Sequence, residues 1–239
     1  MRFRNPVCKF LIALLYISAV SAITPACAEK KLVQPEIDKS VVEEKAATPG
    51  RFHRNNFNTY EEWLQAGRDY NVLGEYDAAK NAFKEAIMLS PGRAEAHYWL
   101  GLTYKELGEM KYALRALEQA VEIRPDYVEA YYSLALTYVE MGRKEKALKT
   151  LISVTKLSPD HADAYYHLGD LYSNLGRKKE ALSAYSQAIR IKPGFVAAHY
   201  GLGKIYVRLE DIDAALKEYE ILIDLDRRLA YDLFNLIYK

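Results

Sequence analysis

Three sets of side chains in this sequence have types that support catalysis or metal binding, and the spacing of each argues against it. Of the five histidines, His97 and His199 share one place in a repeating pattern, a slot suited to aromatic packing, which reads as helix core. His161 and His167 fall near one turn and helix start, without the i, i+4 carboxylate-flanked pairing that a zinc protease needs. Cys8 and Cys27 both lie in the first 28 residues, so the remainder can form neither a structural disulfide nor a thiolate zinc site. Gly201-Leu202-Gly203-Lys204 has the look of a phosphate loop. Such a loop needs a preceding strand and a Ser or Thr after the lysine, whereas this run sits inside a helical pattern and is followed by Ile205. The expectation is a protein with no catalytic residues, no metal and no cofactor.

Charge narrows the partners. The formal net charge is +1, and taking away Arg2, Arg4 and Lys9 of the first 28 residues leaves −2. A surface that releases counterions from nucleic-acid phosphate is strongly basic, so no nucleic-acid partner is expected.

The first residues read as a secretory leader over 1–28. A basic stretch precedes an apolar run from Phe10 to Val20, and small residues end in Ala26-Cys27-Ala28, predicting cleavage after Ala28 and export to the periplasm or cell envelope. The apolar run falls short of the roughly 20 residues of a spanning helix. Cys27 opens an alternative, lipidation, which would tether the chain to a membrane as an assembly factor for a pilus or outer-membrane machine. Thr24-Pro25-Ala26 lacks the leucine usual three positions before a lipidated cysteine, so an incidental cysteine is the favoured reading. Residues 29–58 have many charged residues, Pro35 and Pro49, and no sustained apolar period, predicting a flexible tether with at most a short helix over 40–47.

The elements that position everything else come from an internal period. Pro91, Pro125, Pro159 and Pro193 stand 34 residues apart and each closes an apolar helical pattern. In the same register run a tyrosine column (Tyr70, Tyr104, Tyr138, Tyr172, Tyr206) and an alanine column (Ala79, Ala113, Ala147, Ala181, Ala215). A small-residue column holds Gly67, Gly101, Ala135, Gly169 and Gly203; a turn column holds Gly74, Gly108, Gly142, Gly176 and then Glu210. Each unit thus reads as a first helix ending at the turn glycine, where left-handed backbone lets the chain reverse, and a second helix running to the proline. The small residues let the two backbones approach closely.

This pattern resembles the tetratricopeptide-repeat family over about residues 60 to 227, nearly whole in Tyr165, Leu168-Gly169, Tyr172, Gly176, Ala181, Tyr185, Ala188 and Pro193. The resemblance implies an all-α, right-handed solenoid of five helix pairs at 60–93, 94–127, 128–161, 162–195 and 196–227, closed by a capping helix over 228–239. The fifth unit departs from the pattern at Glu210, Leu222 and Arg227. With no proline or glycine after Ile212, its second helix either stops before the cap or runs straight into it. Leu233, Phe234 and Ile237 of the cap offer an apolar surface through which two chains could pair.

The resemblance also implies an extended peptide held on the concave surface, lined by the first helices. Carried onto this sequence, it singles out Glu61, Glu95, Glu129 and Asp163 at the second place of each unit and Leu64, Tyr98, Tyr132, Tyr166 and Tyr200 at the fifth. A spacing of three puts both columns on one helix face. An aromatic ladder with an acidic edge suits a proline-containing or basic extended peptide; the same residues also serve as ordinary scaffold across such repeats. The neighbouring Arg68, Leu102, Leu136, Asp170 and Lys204 differ from unit to unit, as selectivity requires. The clamp by which some relatives grip a terminal carboxylate is not expected, because Leu64 and Arg68 stand where it needs other residues, and Arg68 and Lys105 lie among Glu95 and Glu106.

Overall fold

The computed structural model describes residues 58–239. The leader, Cys27, the helix expected over 40–47 and all but the last residue of the tether lie outside the described residues. Within them the chain forms helices and no strand: α1 (Tyr60–Leu73), α2 (Tyr76–Leu89), α3 (Ala94–Glu106), α4 (Met110–Ile123), α5 (Val128–Glu140), α6 (Lys144–Leu157), α7 (Ala162–Asn174), α8 (Lys178–Ile191), α9 (Val196–Arg208), α10 (Ile212–Leu225) and α11 (Arg227–Ile237). The first is started by a capping box, in which Thr59 Oγ1 accepts from the Glu62 amide while the Glu62 carboxylate accepts from the amides of Thr59 and Asn58.

Both kinds of turn repeat with the period. After each first helix, Gly74, Gly108, Gly142 and Gly176 take φ of 77, 73, 70 and 73°, and Glu210 takes 61°. That left-handed residue lets the next amide reach back to the carbonyl of the tyrosine column, as in Glu109 to Tyr104 at 2.8 Å and Arg177 to Tyr172 at 2.9 Å. After each second helix, the proline occupies the second position of a turn closed by Arg93 N to Ser90 O at 3.3 Å, Tyr127 N to Arg124 O at 3.1 Å, and their counterparts at His161 and Phe195. Proline pre-sets the backbone angle there and cannot extend the helix before it.

The alanine column is fully buried in all five units, and so are Ala86, Ala120, Val154, Ala188 and Leu222 further along the second helices. Opposite them the glycines leave room for a large side chain: a Cβ built on Gly67 would lie 2.4 Å from the Phe83 ring, on Gly101 2.7 Å from Leu117, and on Gly169 2.6 Å from the Tyr185 ring. Each first helix packs on its own second helix, which packs in turn on the next first helix. The core is therefore a succession of clusters passed from unit to unit rather than one centre.

The fifth unit differs. Its second helix does not run into the cap, because Asp226 turns extended (φ −156°, ψ 99°) and its carboxylate accepts from the amides of Arg228 at 2.9 Å and Leu229 at 3.1 Å. An N-cap does here what proline does elsewhere. Helix α11 then packs on α10 and α9, and a Cβ on Gly203 would meet Leu233 of the cap at 2.5 Å. Leu233 is fully buried, Ile237 packs on the same cluster, and the Phe234 ring lies 5.5 Å from Tyr219. The side chains that suggested pairing between chains are engaged inside this one.

Candidate functional site

First helices of neighbouring units touch one another at α1–α3, α3–α5 and α7–α9, and no two second helices pack as extensively. The first helices therefore form the tighter row of the solenoid, and their free faces line its inner side. Tyr98, Tyr132, Tyr166 and Tyr200 all stand half-buried on this row.

Each of the middle tyrosines meets a ring from the turn that ends its own unit. Tyr98 lies 5.1 Å from Tyr127, Tyr132 lies 4.6 Å from His161, and Tyr166 lies 5.2 Å from Phe195. This second row was missed in the sequence; its signal is that Tyr127, His161 and Phe195 also stand 34 residues apart, immediately before the first helices. His167 joins it, 5.9 Å from Tyr132 and 5.1 Å from Tyr166. Burial pushes the Tyr127, Tyr132 and Tyr166 hydroxyls well above the ordinary phenol range, with Tyr98, Asp163 and Asp170 respectively adding to the effect. Burial also raises Tyr98, against a hydrogen bond to Ser133. These groups stay neutral and present hydroxyls and ring faces.

The acidic column is not uniform. Glu61 pairs with Arg93 and Glu95 with Arg68. Glu129 is exposed and Asp163 half-buried, and neither has an ion pair among the described residues. In the variable column, Arg68 lies 5.1 Å over Trp99, Lys204 lies 4.7 Å over Tyr200, and Asp170 accepts a hydrogen bond from the Tyr185 hydroxyl. Leu102 and Leu136 are half-buried. Lys105 pairs with Glu140 at 2.9 Å, so both cations weighed as an anion site are already matched inside the chain.

His97 and His199 have structural partners. His199 is buried with Nδ1 2.7 Å from Glu218 and Nε2 2.8 Å from the Pro193 carbonyl, tying the fifth unit to the preceding turn, and His97 makes the corresponding contact to Pro91 at 3.1 Å. Among the described residues, no three His, Cys, Asp or Glu side chains are placed to hold a metal ion, and no helix is long and apolar enough to cross a membrane.

Comparison with known proteins gives this geometry a family. Models described as tetratricopeptide repeats match residues 132–194 and 179–232, and one described as TPR repeat matches 67–108 and 104–142. A crystal structure of MamA is 30% identical, with 69% of this chain and 96% of that one aligned at a TM-score of 0.64. This chain belongs to the tetratricopeptide-repeat family. The YrrB structure, described as a TPR protein with an unusual peptide-binding site, aligns over 82% of this chain and 97% of its own at 22% identity and a TM-score of 0.64, a likeness of fold. A thermophilic TPR protein from Thermus thermophilus aligns over 76% of this chain and all of its own at 26% identity and a TM-score of 0.54. No curated protein matches the sequence. As a tetratricopeptide-repeat solenoid, the chain is a scaffold for protein–protein interaction.

Proposed function

We propose that this tetratricopeptide-repeat protein is exported to the cell envelope and holds an extended segment of another polypeptide along the inner row of its first helices. The observation that carries the reading is the double ladder of rings, Tyr98, Tyr132 and Tyr166 against Tyr127, His161 and Phe195. Tyrosine offers large contact area with little side-chain entropy to lose, and its hydroxyl can meet the backbone of an extended chain. Glu95, Glu129, Leu102, Leu136, Asp163, Asp170, Tyr200 and Lys204 complete the proposed surface. Export rests on the basic, apolar and small-residue order of the leader.

The test compares recovery of bound protein from envelope extract by the wild type, by Tyr132→Ala with Tyr166→Ala, and by an outer-face control, Arg115→Ala with Lys149→Ala. Loss of a partner with the tyrosine pair alone supports the groove, and unchanged recovery of every partner removes it. Mass spectrometry of the mature N-terminus checks the leader: an unmodified Glu29 start agrees with cleavage after Ala28, while a lipidated Cys27 replaces it with the membrane-tethered form.

A further inference from the structure

Two histidines meet at one ring of the inner row. His161 lies 4.6 Å from Tyr132 and His167 lies 5.9 Å from it, and His167 is also 5.1 Å from Tyr166. The first comes from the turn that closes unit three and the second from α7, so the cluster spans the joint between units three and four. Both are half-buried. In the flanking units the turn place of His161 holds Tyr127 and Phe195, and the helix place of His167 holds Ser133 and Gly201. None of those gains charge in mild acid.

His161 also differs from its counterparts in what it does to the helix that follows. It is the N-cap of α7, and its Nδ1 accepts from the Ala164 amide at 3.2 Å, beside the bond of that amide to the His161 carbonyl at 3.1 Å. Arg93, Tyr127 and Phe195 begin α3, α5 and α9 with no side-chain cap. A nitrogen that accepts carries no proton, so the neutral ring holds its hydrogen on Nε2. A proton on Nδ1 sets donor against donor at the same distance. The ring then has to leave the cap, and Tyr132 with it.

His167 adds a second charge to the same place. Burial holds its imidazole below the ordinary range, against the pull of Asp170 and Asp163, and a charged His161 lowers it further. Around the pair, Asp160 of the turn interacts with His161, Asp163 acts at Tyr132 and His167, and Asp170 is held by the Tyr185 hydroxyl of α8. Glu129 of α5 acts instead on Tyr98 and Tyr127, Lys156 ends α6 exposed, and Arg208 of α9 acts at Tyr185.

We propose that His161, Tyr132 and His167 form an acid-sensitive joint, in which proton uptake by the two imidazoles releases the cap of α7 and loosens the inner row between units three and four. With both rings neutral, α7 is capped and the rings pack on Tyr132. With both protonated, like charges face each other across Tyr132 and the Ala164 amide has lost its side-chain acceptor. The inference goes beyond the groove reading, since the joint responds whether or not a polypeptide lies on it.

The test is an NMR titration of the histidine rings and backbone amides of the full chain between about pH 8 and about pH 5, the range over which imidazole changes charge. At the neutral end the His161 ring should show the Nε2–H tautomer. On acidification the Tyr132 ring resonances should shift, and protection of the Ala164 amide, corrected for intrinsic exchange, should fall about fivefold to tenfold, the scale of a lost N-cap. The counterpart amides of Ala130 and Ala198 should stay within about twofold, and so should Ala164 in His161→Asn, which caps without titrating. Circular-dichroism melts at the neutral end verify that this variant is folded. An Nδ1–H tautomer of His161 at neutral pH overturns the inference, and that measurement needs no variant. Equal losses at Ala130, Ala164 and Ala198, or equal losses at Ala164 in the wild type and His161→Asn, overturn it as well. No bound polypeptide enters the measurement, so the groove reading stands or falls by its own test.

Discussion

The Tyr185 hydroxyl donates to Asp170 Oδ1 at 2.6 Å, so a carboxylate that the sequence offers to a partner is already held by the second helix of its own unit. Tyr185 is 1% exposed, and its ring fills the space left by Gly169 and Gly201. Asp170 therefore sits at the groove as a brace as well as a charge.

Tyr185→Phe should lower stability by about 1–2 kcal/mol, the worth of a hydrogen bond to an ionised acceptor whose oxygen remains partly accessible to water. Asp170→Ala should cost at least as much, and the two together little more than Asp170→Ala alone. A double-mutant cycle in urea checks this; strictly additive losses would mean that the bond contributes nothing. Any binding defect of an Asp170 variant has to be read beside its melting curve.

The helix glycines should differ in their tolerance of alanine. In unit three the column already holds Ala135 opposite Leu151, a pair that packs with both residues fully buried. Gly101 faces Leu117, a side chain of the same type, so Gly101→Ala should be within about 1 kcal/mol of neutral once the gain in helix propensity is counted. Gly67→Ala and Gly169→Ala instead drive a Cβ into the buried rings of Phe83 and Tyr185 and should each cost about 1–3 kcal/mol. Thermal melts of the three variants give the ranking, and a Gly101→Ala as damaging as Gly169→Ala would contradict it.

Glu210 is the non-glycine residue at positive φ among the described residues, at 61°, in the column where the other units hold glycine. A side chain there has its Cβ close to its own carbonyl, a strain of about 1–2 kcal/mol that glycine lacks. Glu210→Gly should raise the melting temperature, after a small offset for the freer unfolded chain. A lower melting temperature would show that Glu210 makes a compensating interaction.

His167 gives the fold a pH dependence of known sign. Its folded pKa lies below the ordinary imidazole range because burial penalises the charged form, outweighing the pull of Asp170 and Asp163. As pH falls through the unfolded value, about 6.5, the unfolded chain takes up a proton that the folded chain does not, so stability decreases until the folded form also protonates. The drop in urea midpoint between neutral and mildly acidic pH should be smaller in His167→Gln than in the wild type. Parallel pH profiles would assign the dependence to other groups.

The repeat architecture is legible in the sequence because every unit solves the same local problem. The turn glycines must adopt positive φ, the prolines must stop a helix, and the alanines must let two helices meet, so residue type alone marks each column. Tyr98, Tyr132, Tyr166 and Tyr200 could be named for the same reason, as one more column. What repetition hides is the exception. That Glu95 is matched by Arg68 while Asp163 stands unmatched, that Asp170 answers to Tyr185, and that Leu233 of the cap fills the space beside Gly203 were decided by pairs of residues on different helices. Arg68 and Glu95 are 27 residues apart, and the stacking of one unit on the next brings them together. Periodicity places a side chain on a face, but whether its charge is spent depends on the three-dimensional reach of the side chains opposite.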